Sequence, residues 1–325
     1  MKEKRINRGA AITKLVIWSA VALILLSLFA IMMLGEAVSI MITDDLGIFN
    51  SEIYSDEKSY NVGNMTYSEN IKDINIHWVD GSINFVVREG EKIEIAETVA
   101  RDGDEYKMRS RVVGDRLEIR FVKSGLKWFK NAPQKDLTIY LPPSVALSLG
   151  DIEIESASAK VSFGETGAEG DVAFDCNRLN VECASGNVKI SKMRAERIDI
   201  SAVSAGVDFV GSALKMSLEG VSGELSVAGN VTELDISTVS SRVNLALDNT
   251  PSDLDLQTVS GNIDITLPES ESGFEAELDT VSGSMSLDSN RVGGYYRYGN
   301  GTAEYDFETV SGSVNIKIKK VDNND

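Results

Sequence analysis

The residues able to do chemistry are few and unevenly placed. Histidine occurs once, at His77, whereas serine returns beside a glycine or another small residue at Ser185, Ser204, Ser222, Ser240, Ser260, Ser282 and Ser311. A serine hydrolase needs a base in reach of its nucleophile and a third group to orient that base. One histidine cannot serve seven serines, so the serines read as a structural turn ladder and no catalytic residue is expected. Asp253 and Asp255 could imitate the carboxylate pair of a glycosidase. Acids two apart on a strand share its outward face, however, which is the commoner reason for such a pair. Cys176 and Cys183 are the two cysteines. They could pair across a turn in an oxidising compartment. Yet Phe174 has the parity of Cys176, and Leu179 and Val181 that of Cys183, as expected of small buried hydrophobes. Neither a metal-ligand spacing nor a calcium-binding Gly-Gly-x-Gly-x-Asp ladder occurs, so no metal or cofactor is expected.

Two excursions carry recognition chemistry instead. Lys127, Trp128, Phe129 and Lys130 form a basic, aromatic loop on an acidic chain, followed closely by Lys135. Such a loop suits bilayer headgroups or an anionic wall polymer, or it folds back as a hairpin tip. Tyr295, Tyr296, Arg297 and Tyr298 lie among glycines. Tyrosine and arginine favour adaptable contact surfaces, although loop tyrosines also cover sheet edges.

What positions these residues is a repeat. Thr309-Val310-Ser311-Gly312-Ser313-Val314-Asn315-Ile316 is preceded by Thr280-Val281-Ser282-Gly283 and Thr258-Val259-Ser260-Gly261, with weaker copies upstream. From Ser185 onward the serines are 19, 18, 18, 20, 22 and 29 residues apart. Alternating runs flank each corner, such as Leu234-Asp235-Ile236 before and Val243-Asn244-Leu245 after. Each unit therefore reads strand, turn, strand, too small to bury its own apolar face. The expectation is an all-β fold, a parallel β-helix or β-solenoid with repeats of about 18–22 residues, each coil displaced by roughly 4.8 Å. Glycine is expected to supply positive φ at the corner. Strict alternation points Thr280 inward and Val281 outward, although the recurrence of Val suggests that both stack on their copies.

Charge divides the chain further. The net charge is −18, yet residues 1–14 hold five basic side chains against Glu3. The remainder is thus more acidic than the whole, which disfavours nucleic acid and anionic lipid as general partners. Residues 15–34 carry no charge and are long enough to cross about 30 Å of hydrocarbon as a helix. Basic residues before them and Glu36, Asp44 and Asp45 after them place the tail in the cytoplasm and the body outside. A cleaved signal peptide is the competing reading, because Gly35-Glu36-Ala37 loosely fits a cleavage site. The expected organisation is a basic cytoplasmic tail over 1–14 and a transmembrane signal-anchor helix over 15–34. A juxtamembrane spacer over 35–70 and an irregular N-terminal part and cap over 71–150 follow. Regular solenoid repeats occupy 151–320, and a frayed tail ends the chain at 321–325. Lys317, Lys319 and Lys320 would guard the terminal edge.

The body from about Tyr60 to Ile318 resembles the putative-adhesin family, the β-strand-repeat domain of bacterial single-span envelope proteins. The likeness rests on Tyr60-Asn61-Val62-Gly63, Ile74-Asn75-Ile76-His77-Trp78-Val79-Asp80-Gly81, Leu137-Thr138-Ile139-Tyr140-Leu141-Pro142, Tyr298-Gly299-Asn300-Gly301 and the Thr-Val-Ser-Gly copies. It implies a β-solenoid displayed outside a bacterial plasma membrane, a link in some members to envelope stress, and no agreed catalytic residues. The expected function is accordingly non-enzymatic: binding or sensing a cell-envelope component, with a cell-wall polymer or a membrane sensor protein as partner. A regulatory accessory subunit of a membrane sensor system is the alternative, and a polysaccharide-acting hydrolase the third choice.

Overall fold

The computed structural model describes residues 54–68, 70–99, 101–126, 134–164 and 172–320. The tail, the span of residues 15–34, the loop Lys127–Lys130 and residues 321–325 lie outside the described residues. Among the described residues no helix is long and apolar enough to cross a membrane. They are mostly strand, with one four-residue helix, Pro143–Ala146, and two 3-10 turns.

Alternation in the sequence becomes alternation in burial. In Asp73–Trp78 the side chains of Ile74, Ile76 and Trp78 are buried while Asp73, Asn75 and His77 face outward. Strands that precede a corner pair in parallel to form one sheet, and strands that follow it form a second. The first sheet, which carries most of the charge, runs through Arg116–Arg120, Asp73–Trp78, Leu149–Ser156 and Phe174–Ser185. It continues through residues 195–202, 213–220 and 231–238, then Asp253–Thr258, Ala303–Thr309 and Phe274–Thr280. The second, polar sheet starts at Lys135–Leu141, Gly81–Val87 and Lys160–Phe163. It passes through residues 188–190, 207–210 and 224–228, and ends with Arg242–Leu247, Asn262–Pro268, Ser313–Lys319 and Ser284–Leu287.

The two sheets close on one core. Ile76, Ile154, Val181, Ile200, Leu218, Ile236, Leu256, Phe307 and Leu278 stand in register and are all buried. Full burial of each such side chain stabilises by about 1.5–3 kcal/mol. Aromatic rings stack along the pile as well: Phe85 on Phe163 at 4.1 Å, and Phe274 on Tyr305 at 4.6 Å. Cys176 and Cys183 are buried and unbonded within this core, and burial pushes their thiols up to about 12 and about 11.

Spatial order departs from chain order at both ends. The coil of Asp73–Trp78 and Gly81–Val87 is not the first of the stack; it lies between the coil of Arg116–Arg120 with Lys135–Leu141 and that of Leu149–Ser156 with Lys160–Phe163. Likewise the last coil, Ala303–Thr309 with Ser313–Lys319, is inserted between Asp253–Pro268 and Phe274–Leu287. The lysines of Ser313–Lys319 therefore do not guard the terminal edge. That edge is covered by the antiparallel strands Asn290–Val292 and Tyr295–Tyr298, which end the parallel ladder. At the other end, Ile93–Val99 and Arg109–Val113 do the same work.

The cap begins earlier than the expected spacer allows. Asn61–Val62 pairs with Arg109–Val113, Met65–Tyr67 pairs with Ile93–Val99, and Tyr67 donates its hydroxyl to Ser110 at 2.8 Å. Residues from Tyr54 onward thus belong to the folded body, because Tyr54, Tyr60, Met65 and Tyr67 find partners that the local sequence does not reveal. Lys135 is also corrected. It does not extend a basic surface: its ammonium is buried against Glu97 at 2.8 Å and over the Trp78 and Phe121 rings at 4.7 and 4.4 Å.

Candidate functional site: two laddered faces

The corner comes first, because it fixes the register of everything outward of it. Thr238, Thr258 and Thr309 are buried, and the Oγ1 atoms of Thr280 and Thr309 accept the N–H of Gly283 and Gly312 at 2.7 Å. At the Thr280 and Thr309 corners, and at Thr238, which accepts the Ser241 N–H at 3.3 Å, the inward threonine holds the turn by satisfying a backbone donor three residues on, whereas the Thr258 hydroxyl is buried without a hydrogen-bond partner. The corner glycines Gly186 and Gly223 use positive φ, 111° and 141°, as expected, whereas Gly261, Gly283 and Gly312 do not. A Cβ on them would meet a carbonyl oxygen of the adjacent coil at 2.2–2.3 Å, so glycine is needed for close approach between coils. Where Ser241 replaces glycine, its hydroxyl turns inward and accepts from Thr238 Oγ1 at 2.5 Å. The valines do not stack inward with the threonines: they are half-exposed along the corner, and Val281, on the outermost coil, is 70% exposed.

The serines of the turn ladder are brought together. Ser185 pairs with Ser204 and Ser204 with Ser222 in register. Backbone bonds join Ser240 to Val221, Ser260 to Val239, Ser311 to Val259 and Ser282 to Val310. Ser311 thus precedes Ser282 along the rod, as the inserted coil requires. The hydroxyls bond to one another or to backbone, as in Ser204 to Ser222 at 3.3 Å and Ser282 to the Val310 carbonyl at 3.3 Å.

The charged sheet points two kinds of row outward. Over its first strands, acids and bases alternate across the ladder. Arg120 donates to Asn75 at 2.7 Å, Asn75 to Glu153 at 2.9 Å, and Arg178 and Arg197 both grip Asp199, at 2.9 and 2.8 Å. These pairs hold the Asp199 carboxyl below the usual range despite the opposing effect of burial. His77 sits here, with Nδ1 3.4 Å from Glu155. Burial, helped by the Arg120 charge, pulls the imidazole down to about 4. It is therefore neutral at pH 7.

Over the last four strands the bases disappear. Glu233, Asp235, Asp253, Asp255, Glu304, Asp306, Glu308, Glu275, Glu277 and Asp279 occupy the outward positions, aligned strand to strand. Lys215 pairs with Glu233 at one flank and Arg297 with Glu275 at the other, each at 3.0 Å. Asp253 and Asp255 are two members of this array on a flat sheet. Among the described residues no three His, Cys, Asp or Glu side chains are grouped to hold a metal ion.

The polar sheet differs. Its central outward row reads Thr138, Asn84, Ser162, Lys189, Asp208, Ser226, Asn244, Asp264, Asn315 and Ser286 in register. Ser162 donates to Asn84 at 2.8 Å, Asn315 to Asp264 at 3.0 Å and Ser286 to Asn315 at 2.8 Å. Most of these side chains are short, and Ser162, Asn84, Asp264, Asn315 and Ser286 are tied to neighbours in the row, so it presents amides and hydroxyls, interrupted by the charges of Lys189, Asp208 and Asp264, at intervals of roughly one strand spacing, about 4.8 Å. These residues were not singled out from the sequence, although the signal was there: the strand before each late corner carries acids and the strand after it Asn, Ser or Thr.

The tyrosine excursion is a strand. Tyr295–Tyr298 pairs antiparallel with Phe274–Thr280, Tyr298 stacks on Phe274 at 5.5 Å, and Tyr295 is 57% exposed. Its first task is to cover the sheet edge, with Tyr295 left facing solvent.

The sequence matches no curated protein. Three solved structures are similar to it in part. A putative cell adhesion protein from Clostridium sporogenes is 13% identical over 80% of this chain and 100% of its own, with a TM-score of 0.27. Putative adhesins from Bacteroides fragilis and Parabacteroides merdae are 15% and 14% identical, each over 79% of this chain and 97% of their own, with TM-scores of 0.40 and 0.39. The family model described as Toastrack DUF4097 matches residues 71–317, from just before the strand Asp73–Trp78 into the strand Ser313–Lys319. On that match the chain belongs to the Toastrack DUF4097 family, whose all-β, strand-repeat body is the one seen here.

Proposed function

We propose that the protein is a non-enzymatic, adhesin-like display rod, anchored in a bacterial plasma membrane through residues 15–34, that binds an uncharged glycan of the cell envelope with its polar sheet. The observation that carries this reading is the in-register row from Thr138 to Ser286, where amide and hydroxyl side chains stand at seven of ten positions and Lys189, Asp208 and Asp264 at the other three. A glycan repeats its own hydroxyl and amide groups along an extended chain, and fixed partners lower the ordering cost of binding it. The charged sheet works by exclusion: ten aligned carboxylates repel anionic polymers and anionic lipid. Anionic wall polymer is thereby disfavoured as the ligand of this body.

The test is co-sedimentation of the full chain, held in nanodiscs, with insoluble wall glycan stripped of its anionic polymers. Replacing Asn84, Asn244 and Asn315 together by Ala is expected to weaken retention at least about tenfold, since each lost hydrogen bond contributes about 0.5–1.5 kcal/mol. Glu277→Gln with Glu304→Gln is expected to leave retention unchanged. No retention of the unaltered chain, or equal retention of the triple variant, would refute the reading.

A further inference from the structure

The second half of the charged sheet combines two observations that its first half lacks. Asp255, at its centre, faces Glu233 and Asp235 from one neighbouring strand and Glu304, Asp306 and Glu308 from the other. Its own strand adds Asp253 and Gln257. Glu308 faces Asp255 and Gln257 on one side, Glu277 and Asp279 on the other, with Asp306 on its own strand. The cations Lys215 and Arg297 sit at the flanks, each already paired. Within this crowd one oxygen of each central carboxyl, Asp255 Oδ1 and Glu308 Oε2, is shut off from solvent and receives no hydrogen bond from protein. A carboxylate is an acceptor only, so a row of them cannot satisfy one another; a carboxylic acid carries its own donor and can. Two sealed oxygens without donors among like charges are thus the signature of a place built to hold protons.

We propose that this half of the sheet is a proton-operated latch, in which Asp255 and Glu308 each take up a proton on mild acidification, replacing charge repulsion across the outward face of strands already joined by their backbone ladder with side-chain hydrogen bonds. The strand Ala303–Thr309 is the last of this sheet in chain order yet wedged between two others, so its hold on the stack depends on this face as well as on the core. Burial, reinforced by Asp235, Asp306 and Asp253, raises the Asp255 carboxyl to about 6, with Gln257 pulling the other way. Burial, reinforced by Asp255, Asp279 and Asp306, raises Glu308 to about 6. Asp235 is raised too, by burial and Asp253, against the pull of Lys215. Because the folded values lie above the unfolded ones of 3.8 and 4.5, the folded protein binds these protons more tightly. Their stabilisation is complete below the unfolded values and is lost as pH rises through about 6. Each carboxyl changes the folding equilibrium by up to about tenfold per pH unit inside that window.

The experiment is peptide-resolved hydrogen exchange on the full chain at pH 7.5 and 5.5, corrected for the chemical exchange rate, over residues 253–258 and 304–309. The latch predicts at least a tenfold gain in protection of both strands on acidification. It also predicts that Asp255→Asn with Glu308→Gln is protected to the acid level at both pH values. Unchanged or falling protection in the unaltered chain would overturn the proposal without any variant. So would a double variant that keeps the full acid gain. If the double variant does not fold, Asp255→Asn alone is expected to remove about half of the gain, and a gain of unaltered size would be equally fatal.

Discussion

Leu254 and Leu256 from the charged sheet and Ile263 and Ile265 from the polar sheet enter one core from opposite sides, and all four are buried. One residue along each strand, the surfaces part: Asp253, Asp255 and Gln257 on one side, Asn262, Asp264 and Thr266 on the other. The same separation recurs in the next coil, with Glu304, Asp306 and Glu308 against Ser313, Asn315 and Lys317. Packing therefore demands only that alternate residues be apolar; it leaves the outward residues of each sheet free to be tuned as a set. The two faces have been tuned apart, one as an array of like charges and one as a row mainly of amides and hydroxyls, some of them bonded across strands.

That comparison breaks most visibly in the core. Leu256→Ala and Ile265→Ala should each lower unfolding stability by about 2–5 kcal/mol in urea titrations, by comparable amounts. A loss confined to one of them would mean that the sheets do not share an interior. The corner comes next. Gly312→Ala places a Cβ 2.3 Å from the Gly261 carbonyl oxygen and should cost about 1–3 kcal/mol, whereas Gly293→Ala, with nothing within 4 Å, should cost little. Equal effects would show that the glycines serve turn conformation and not the approach of coils. Thr309→Val, which removes the acceptor of the Gly312 N–H, should cost about 1 kcal/mol.

Smaller effects separate the surfaces. The His77 imidazole is held down to about 4, below its unfolded value of 6.5, by burial first and Arg120 second. Its contribution is present above pH 6.5 and lost as the pH falls toward 4, opposite in sign to that of Asp255 and Glu308. His77→Gln should therefore remove part of the acid-induced loss of protection in residues 73–78 while leaving residues 304–309 as they were; an effect on both regions would deny their independence. Arg197→Ala should change stability by less than about 1 kcal/mol, because its bond to Asp199 is solvent-exposed on the arginine side.

Much of this was legible in the sequence. The repeat of Thr-Val-Ser-Gly gave the corner, and period-two alternation gave Ile74, Ile76, Leu254, Leu256, Val314 and Ile316 as core. The inward direction of Thr280 and Thr309 could be read as well, since their hydroxyls have backbone donors to satisfy. What could not be read was which coil neighbours which. Thr258-Val259-Ser260-Gly261 fits against either later copy, because each presents the same inward threonine and the same corner glycine. The choice lies in long-range fit: the excursion between Leu287 and Ala303 forms antiparallel strands that seal only an outermost coil, so the coil after it must return inside. Lys135 was misjudged for a related reason, as its carboxylate partner, Glu97, lies 38 residues away. The opposed faces were hidden because acids were weighed singly, when their meaning lies in alignment across strands.

The order of the coils is tested most directly by cysteine pairs at the corner serines. Parallel in-register neighbours place Cα atoms about 4.8 Å apart, within disulfide reach, whereas two strand spacings exceed it. Oxidation of the full chain is predicted to cross-link Ser260→Cys with Ser311→Cys, and Ser311→Cys with Ser282→Cys, but not Ser260→Cys with Ser282→Cys. A bond between positions 260 and 282 with none between 260 and 311 would mean that the coils follow chain order, and the two faces described above would have to be redrawn.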